Sequence, residues 1–152
     1  MTASERLAAT PRVEKTVATF RFDLVSPAEL LFTDEVEQVD LPGMEGDFGV
    51  LAGHVPIISL LRPGIIMVRS GGRIEKFVLM GGFAEFSGSA LTVLADAASR
   101  ADEFDTAGLK ARIDEVEGSL SRISAGEELD RAIKLLDDYK SLHLALSPAT
   151  AF

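Results

Sequence analysis

The chain has 152 residues, of which 47% are hydrophobic, enough to bury one compact core with a small appendage. Its formal net charge of −9 disfavours nucleic acid and anionic membrane surfaces as partners, because both present negative phosphate groups. Cysteine is absent, which excludes disulfides and thiolate metal sites. No apolar run approaches the ~20 residues that a membrane-spanning helix requires, so direct membrane insertion is not expected.

The two ends of the chain carry little apolar sequence. Residues 1–18 mix charges of both signs without the apolar stretch of a secretory signal, and Glu5 and Glu14 argue against a transit peptide. We therefore expect a flexible extension at 1–18. Pro148 should end the last helix and leave a short tail at 148–152.

Residues 19–100 have the pattern of short strands. Phe20, Phe22 and Leu24 alternate with polar residues, which is the period of two shown by a strand with one buried face. Turn signals that contain glycine or proline follow at 42–43, 63–64, 70–72, 81–82 and 87–89. We take each of them to separate two strands. The spacing predicts a sandwich or barrel, and the lack of a helix-length segment disfavours a doubly wound parallel sheet.

Residues 101–147 change to the helical period. The first helix carries five aliphatic side chains on one face, at intervals of three and four residues: Leu109, Ile113, Val116, Leu120 and Ile123. Asp105 is the expected N-cap, with Thr106 as the alternative, and Ser124–Gly126 should end the helix. The inner face of a second helix is expected to hold Leu129, Ala132, Ile133, Leu136 and Tyr139 or Lys140. The short loop makes the helices antiparallel, and such a hairpin is only marginally stable alone, so it needs a docking surface.

The sequence offers no constellation typical of catalysis. His54 and His143 are the only two histidines, and their separation is not that of a metal-binding pair. No serine lies in the Gly-x-Ser-x-Gly motif of a nucleophile elbow, and no lysine follows a glycine-rich loop as it does in a phosphate cradle. The carboxylates are best explained as a solvated surface. We therefore predict a non-catalytic, partner-docking protein that needs no cofactor or metal.

The segment Pro42–Pro56 has the most distinctive composition in the chain. It holds four glycines, two acidic residues and a histidine between two expected strands. A tight turn whose backbone needs positive φ would explain the glycines. A shaped recognition loop at one end of the sandwich would explain them equally well. The pattern alone leaves both interpretations open.

The stretch Val36–Val68, VEQVDLPGMEGDFGVLAGHVPIISLLRPGIIMV, resembles the epsilon subunit of F-type ATP synthases. Leu24–Pro27, Gly81–Phe83 and Val93–Ala98 are similar to the same family, whose architecture the mitochondrial delta subunit shares. The resemblance implies a β-sandwich of about ten strands at 19–100, followed by an antiparallel two-helix hairpin at 101–147.

The resemblance also implies a role. Such a subunit is a non-catalytic part of the rotor's central stalk, where it binds the gamma subunit and the ring of c subunits and links proton transport to ATP synthesis. It is peripheral, on the cytoplasmic face of the bacterial inner membrane. In many relatives the helices can extend toward the catalytic alpha and beta subunits and restrain ATP hydrolysis. The alternative is a free-standing or nucleotide-sensing ligand-binding module.

Three groups of contact residues follow from the resemblance. The implied c-ring contact comprises Glu45, Gly46, Asp47 and Phe48. The implied gamma contact comprises Ser26, His54 and Ser59. The implied regulatory hairpin is lined by Leu109, Ile113, Val116, Leu120, Ile123, Leu129, Ile133 and Leu136.

The start of the first helix departs from some of these relatives. They bind ATP through an (Ile/Leu)-Asp-x-x-Arg-Ala motif, and Phe104–Leu109 occupies that place here. Gly108 stands where the motif has arginine, and Leu109 where it has alanine. No ATP site is expected.

Overall fold

The computed structural model describes residues 17–147. The extension predicted at 1–18, apart from Val17 and Ala18, lies outside these residues, as do the tail predicted at 148–152 and the helix stop predicted at Pro148.

Eight strands precede two helices within this range. The strands are β1 (Phe20–Val25), β2 (Leu30–Val36), β3 (Gln38–Gly43), β4 (Gly46–Leu51), β5 (Ile57–Ser70), β6 (Arg73–Phe86), β7 (Ala90–Ala95) and β8 (Ala98–Arg100). The helices are α1 (Thr106–Ser119) and α2 (Glu127–Leu146), with short 3-10 turns at Ala101–Glu103 and Leu120–Arg122.

The strands form one hydrogen-bonded sheet that folds over itself into two layers. Its order is β2-β1-β7-β6-β5-β3-β4, with β8 paired to the first half of β6. β1 and β7 are parallel, and every other pair is antiparallel. One buried core lies between the layers and takes side chains from strands of both, among them Phe22, Val50, Phe77 and Phe86. The predicted β-sandwich is confirmed.

The strand count is eight, close to the ten or so that the resemblance implies, and two of the expected turns lie inside long strands. Pro63-Gly64 falls within β5 and Gly81-Gly82 within β6. At both places the strand bends from one layer into the other without losing its partner, since Gly64 pairs with Leu79 and Gly82 with Leu61. Glycine and proline here mark bulges and bends rather than chain reversals.

Gly82 is confined by its neighbours on β7. A Cβ at this position would stand 2.2 Å from the carbonyl oxygen of Leu94, and the residue has a φ of +149°. We expect Gly82→Ala to lower the free energy of unfolding by about 2–4 kcal/mol, measured by urea denaturation of the full chain. Gly88→Ala is the matched control, because Gly88 also has a positive φ but nothing lies within 4 Å of its Cβ position. Equal losses in the two variants would contradict the steric explanation.

The glycine-rich segment Pro42–Pro56 is largely a β-hairpin. Pro42 and Gly43 end β3 instead of forming a turn, and the chain reverses at Met44 and Glu45, between Gly43 and its partner Gly46. β4 then runs back along β3. The sequence did not predict β4, because glycines and acidic residues are rare in strands.

The helical hairpin is docked on the outside of the sandwich. Val78 of β6 is fully buried beneath it, whereas its neighbours Phe77 and Leu79 face the sandwich core. The helices complete this second core with Leu109, Ile113, Leu136, Tyr139 and Leu142. An ion pair of 2.6 Å between Lys140 and Glu117 joins α2 to α1. The antiparallel hairpin is confirmed, and its apolar face is docked on the sandwich.

Candidate docking surfaces

The β3–β4 hairpin ends in a projecting acidic tip, defined here as Glu45–Phe48. Glu45 and Gly46 are exposed, and among the described residues Glu45 makes no hydrogen bond or ion pair. A surface carboxylate at the end of a narrow hairpin can approach a cationic partner without rearrangement of its own neighbours. The structure therefore places Glu45 and Gly46 where an external contact is possible.

The other two tip residues face the protein itself. The side chain of Asp47 is 75% exposed, yet its Oδ1 accepts a hydrogen bond from Arg62 at 2.5 Å. Phe48 is half-buried and packs against the sandwich core. Its ring also covers Gly43, where a Cβ would lie 2.9 Å from two ring carbons. Asp47 and Phe48 thus shape the tip, in addition to any contact they make outside it.

Ser26, His54 and Ser59 each have a local partner and do not form one cluster. The Ser26 hydroxyl and amide both donate to the Glu29 carbonyl oxygen and close the β1–β2 turn. His54 Nδ1 lies 2.7 Å from the Val55 carbonyl oxygen, and the ring meets Phe86 edge-on. Ser59 is on β5, and the β7 and β6 strands separate it from Ser26 at the end of β1.

An apolar band crosses the outer face of one layer. It is the row in which Leu60 pairs with Phe83, Phe83 with Leu94, Leu94 with Val25 and Val25 with Leu30. Four of its side chains are substantially exposed: Leu30 by 52%, Leu60 by 67%, Phe83 by 38% and Leu94 by 40%. Contiguous exposed apolar surface of this kind marks interaction sites in soluble proteins.

The band continues toward the acidic tip and has a charged border. Met44, in the turn of the tip hairpin, is 43% exposed and its amide donates to the Leu60 carbonyl oxygen at 2.9 Å. Beside the band, Asp23 accepts hydrogen bonds from Thr33 and Arg21. These bonds, that from Thr33 foremost, hold the pKa of Asp23 below its usual range, so the border keeps its negative charge.

The apolar band was not predicted, although the sequence contains a signal for it. Leu24-Val25 and Val93-Leu94 are consecutive apolar pairs, and such a pair puts one side chain on each face of its strand. Only the pairing register shows that the outward members align in one row across five strands. The period of two shows that a strand carries an apolar side chain on its outer face, but it does not show which strands lie beside it.

The hairpin residues divide into a docked half and an outer half. Leu109, Ile113 and Leu136 are buried, and Val116 and Leu120 pack partly against them. Ile123 and Leu129 are half-buried, and Ile133 is 45% exposed, so the expected inner-face position of Ile133 is wrong. Buried Leu142 follows Ile133 by about two and a half helical turns, so Ile133 lies on the opposite, outward side of α2.

The predicted N-cap of α1 is confirmed, and it explains Gly108. Asp105 Oδ1 accepts a hydrogen bond from the Gly108 amide at 2.9 Å. A Cβ at Gly108 would stand 2.4 Å from the other oxygen of this carboxylate. The glycine that replaces the arginine of the ATP-binding motif therefore lets the aspartate approach the helix N-terminus closely.

Within residues 17–147 no group of three or more histidine, aspartate or glutamate residues is arranged to hold a metal ion. None of the helices in the described part of the chain is long and apolar enough to cross a membrane. The features that stand out are an apolar band, a projecting acidic tip and a docked helical hairpin. Together these features are typical of a protein that docks onto other proteins.

Comparison with known families identifies the assembly to which such a protein belongs. The β-sandwich domain of the ATP synthase delta/epsilon chain matches residues 19–101. The chain belongs to this family of ATP synthase subunits. It is a subunit of an F-type ATP synthase and not an enzyme on its own.

Bacterial relatives are similar over nearly their whole length. An ATP synthase epsilon chain of Nitrobacter hamburgensis is 56% identical over 133 residues, which cover 88% of this chain and 98% of the relative. An epsilon chain of Rhodopseudomonas palustris is 53% identical, with 89% and 98% covered. The fold also resembles a chain in the mitochondrial ATP synthase of Euglena gracilis, at 24% identity and a TM-score of 0.68, with 97% and 96% covered.

Proposed function

We propose that this chain is a rotor subunit of the central stalk, which binds the gamma subunit and the c ring and so couples proton translocation to ATP synthesis. The observation that carries the proposal is the continuity of two surfaces. The apolar band reaches the acidic tip through Met44. Because of this continuity, one partner can lie against the outer face of the sheet while another meets the tip.

The apolar band is the proposed gamma contact. Its exposed side chains would each contribute roughly 1–2 kcal/mol when a partner covers them, which suits the apolar centre of a stable interface. Ser26 follows Val25 at the end of the band and can belong to the polar rim of the interface. Ser59 alternates with Leu60 on β5, so its side chain lies on the face opposite the band, and His54 packs against the core residue Phe86. A part for Ser59 and His54 in the gamma contact therefore rests on the family resemblance.

The acidic tip is the proposed c-ring contact, with Glu45 as its charged group. Exposed ion pairs contribute roughly 1 kcal/mol or less, so the carboxylate directs the contact more than it strengthens it. Gly46 has a φ of 138°, a conformation that favours glycine at the end of the turn. Asp47 and Phe48 give the tip its shape through their contacts with Arg62 and Gly43.

A peripheral position on the cytoplasmic face of the inner membrane follows from contact with the ring. Restraint of ATP hydrolysis would require the hairpin to leave the sandwich and reach the alpha and beta subunits. Several of its cations are paired with its own acids, as Lys134 is with Asp138 and Lys140 with Glu117. Restraint therefore depends on hairpin release, and hydrolysis by complexes with and without residues 101–152 measures it.

We expect Glu45→Lys to weaken binding to a purified c ring by about tenfold at low salt, and less at high salt, because it puts a cation beside the cationic partner. Binding to gamma should not change. The measurement is co-sedimentation of the full chain with detergent-solubilised rings. Glu103→Lys, which reverses an exposed carboxylate in the link to the helices, is the matched control. Equal behaviour of the two variants would refute the tip contact.

The groove between the helices argues against the alternative of a nucleotide-sensing module. This groove of about 350 Å³ is lined by Lys110 and Lys140, but both lysines are held by acidic neighbours, Asp114 and Glu117. Calorimetry of the full chain with ATP tests the alternative. Sub-millimolar binding would restore it.

A further inference from the structure

The turn between β3 and β4 has a conformation that does not suit a hairpin on its own. Gly43 pairs with Gly46, so only Met44 and Glu45 form the loop. Two-residue hairpin loops favour turns in which the first central residue has a positive φ, because this matches the twist of the strands. Met44 and Glu45 both have negative φ, and the positive value of 138° falls on Gly46. Such a turn matches the twist of the strands less well, so contacts from outside the hairpin can contribute to its shape.

Arg62 provides such contacts from a third strand. Its Nη1 donates to the carbonyl oxygen of Gly43 on β3, and its Nη2 donates to Asp47 Oδ1 on β4, each at 2.5 Å. One guanidinium group thus joins both arms of the hairpin where they meet the turn. Its planar donor fork reaches two acceptors at once, which the single ammonium group of lysine does with difficulty.

The backbone of β5 is shaped to bring Arg62 to this position. Between Asp40, which pairs with Met67, and Gly43, which pairs with Leu61, the register of β3 and β5 shifts. Arg62 lies in the resulting bulge. Its side chain is only 23% exposed, so its hydrogen bonds are partly shielded from water and salt. The bond to the Gly43 carbonyl oxygen is the better shielded of the two, since the Asp47 side chain is 75% exposed.

The same contact separates the roles of the two acidic residues of the tip. Asp47 is engaged by Arg62, whereas Glu45 has no partner among the described residues. A cationic partner would therefore meet Glu45 first. Asp47 would contribute through the shape of the turn that presents Glu45.

We propose that Arg62 is the positioning residue of the acidic tip and that it fixes the turn so that Glu45 projects toward its partner. The inference rests on the proposed c-ring contact for its functional meaning. Its structural content concerns this chain alone and can be tested without the ring.

Amide hydrogen exchange of the full chain provides that test. The Met44 amide, which donates to the Leu60 carbonyl oxygen, reports whether the turn stays attached to β5. We expect Arg62→Gln and Asp47→Ala each to raise its exchange rate by about tenfold or more, and Arg62→Lys to raise it less. The His54 amide, bonded to the Leu51 carbonyl oxygen at the other end of β4, should exchange as before.

The double variant Arg62→Gln/Asp47→Ala tests whether the two residues act through the same contact. If both residues act through a single contact, the Met44 amide should exchange no faster in the double variant than in Arg62→Gln alone. Rates that multiply in the double variant would overturn the inference. An unchanged Met44 rate in Arg62→Gln would overturn it as well.

Glu45→Gln distinguishes this inference from the proposed function. It should weaken c-ring binding without altering the exchange of Met44, and Arg62→Gln should alter both. If Glu45→Gln binds the ring normally, the ring contact fails. The positioning role then stands or falls on the exchange data alone.

Discussion

Leu60→Asp combined with Leu94→Asp is expected to abolish co-purification with the gamma subunit. The two leucines flank Phe83 in the apolar band, and at 67% and 40% exposure they face solvent in the isolated chain. The carboxylates stay hydrated while the subunit is free, so the sandwich should fold normally. In the complex they would be buried against apolar surface without partners, which we expect to weaken binding by ~100-fold or more.

The matched control is Ile74→Asp, on the first half of β6. Ile74 is 50% exposed and lies outside the row of paired residues that forms the band. It adds one carboxylate to the same sheet, as each of the two leucine substitutions does, and it should co-purify with gamma like the wild type. Circular dichroism of all variants verifies the fold. Normal gamma binding by the double variant would show that gamma docks elsewhere.

Val78→Asp is expected to release the helical hairpin from the sandwich. Val78 is fully buried, and the described residues that pack around it in the second core are apolar or aromatic. A carboxylate there would lose its hydration without gaining a partner, at a cost of several kcal/mol. The hairpin has little stability of its own, so undocking should expose it.

Limited proteolysis measures this release. We expect rapid cleavage within residues 101–147 of Val78→Asp, with a resistant fragment that contains the sandwich. Ile74→Asp again serves as the control, since it places the same side chain four residues earlier in β6 at an exposed position. Wild-type protease resistance in Val78→Asp would mean that the second core does not hold the hairpin.

The sandwich and the helices could be predicted from sequence periodicity, because burial on one face of an element places its apolar residues at regular intervals. The spacing of Leu109 and Ile113 and the cap at Asp105 are local features, and the structure confirms them. The turns predicted at Pro63-Gly64 and Gly81-Gly82 were wrong, because this composition suits a chain reversal and a bend within a strand equally well. Whether such a pair reverses the chain or bends it depends on partners distant in sequence.

Of the candidate docking surfaces, too, one could be predicted from the sequence and the other could not. The acidic tip was recognisable because its residues are contiguous in the sequence. The apolar band was not, since its members come from five strands and meet only through the pairing register. The contacts of Arg62 span 15 and 19 residues, and no local pattern indicates them. Long-range contacts of this kind require the assembled sheet.

The unbroken course of β5 and β6 has a mechanical consequence. Each strand has 14 residues, a length of roughly 46 Å, and runs through both layers. A sideways load applied at one end is therefore shared by many backbone hydrogen bonds in parallel, which resist shear together. A hinge between the layers would let such a load dissipate as bending. These two strands instead make the sandwich stiff along their length, and in the proposed rotor role this stiffness would let it pass torque between partners bound at its two ends.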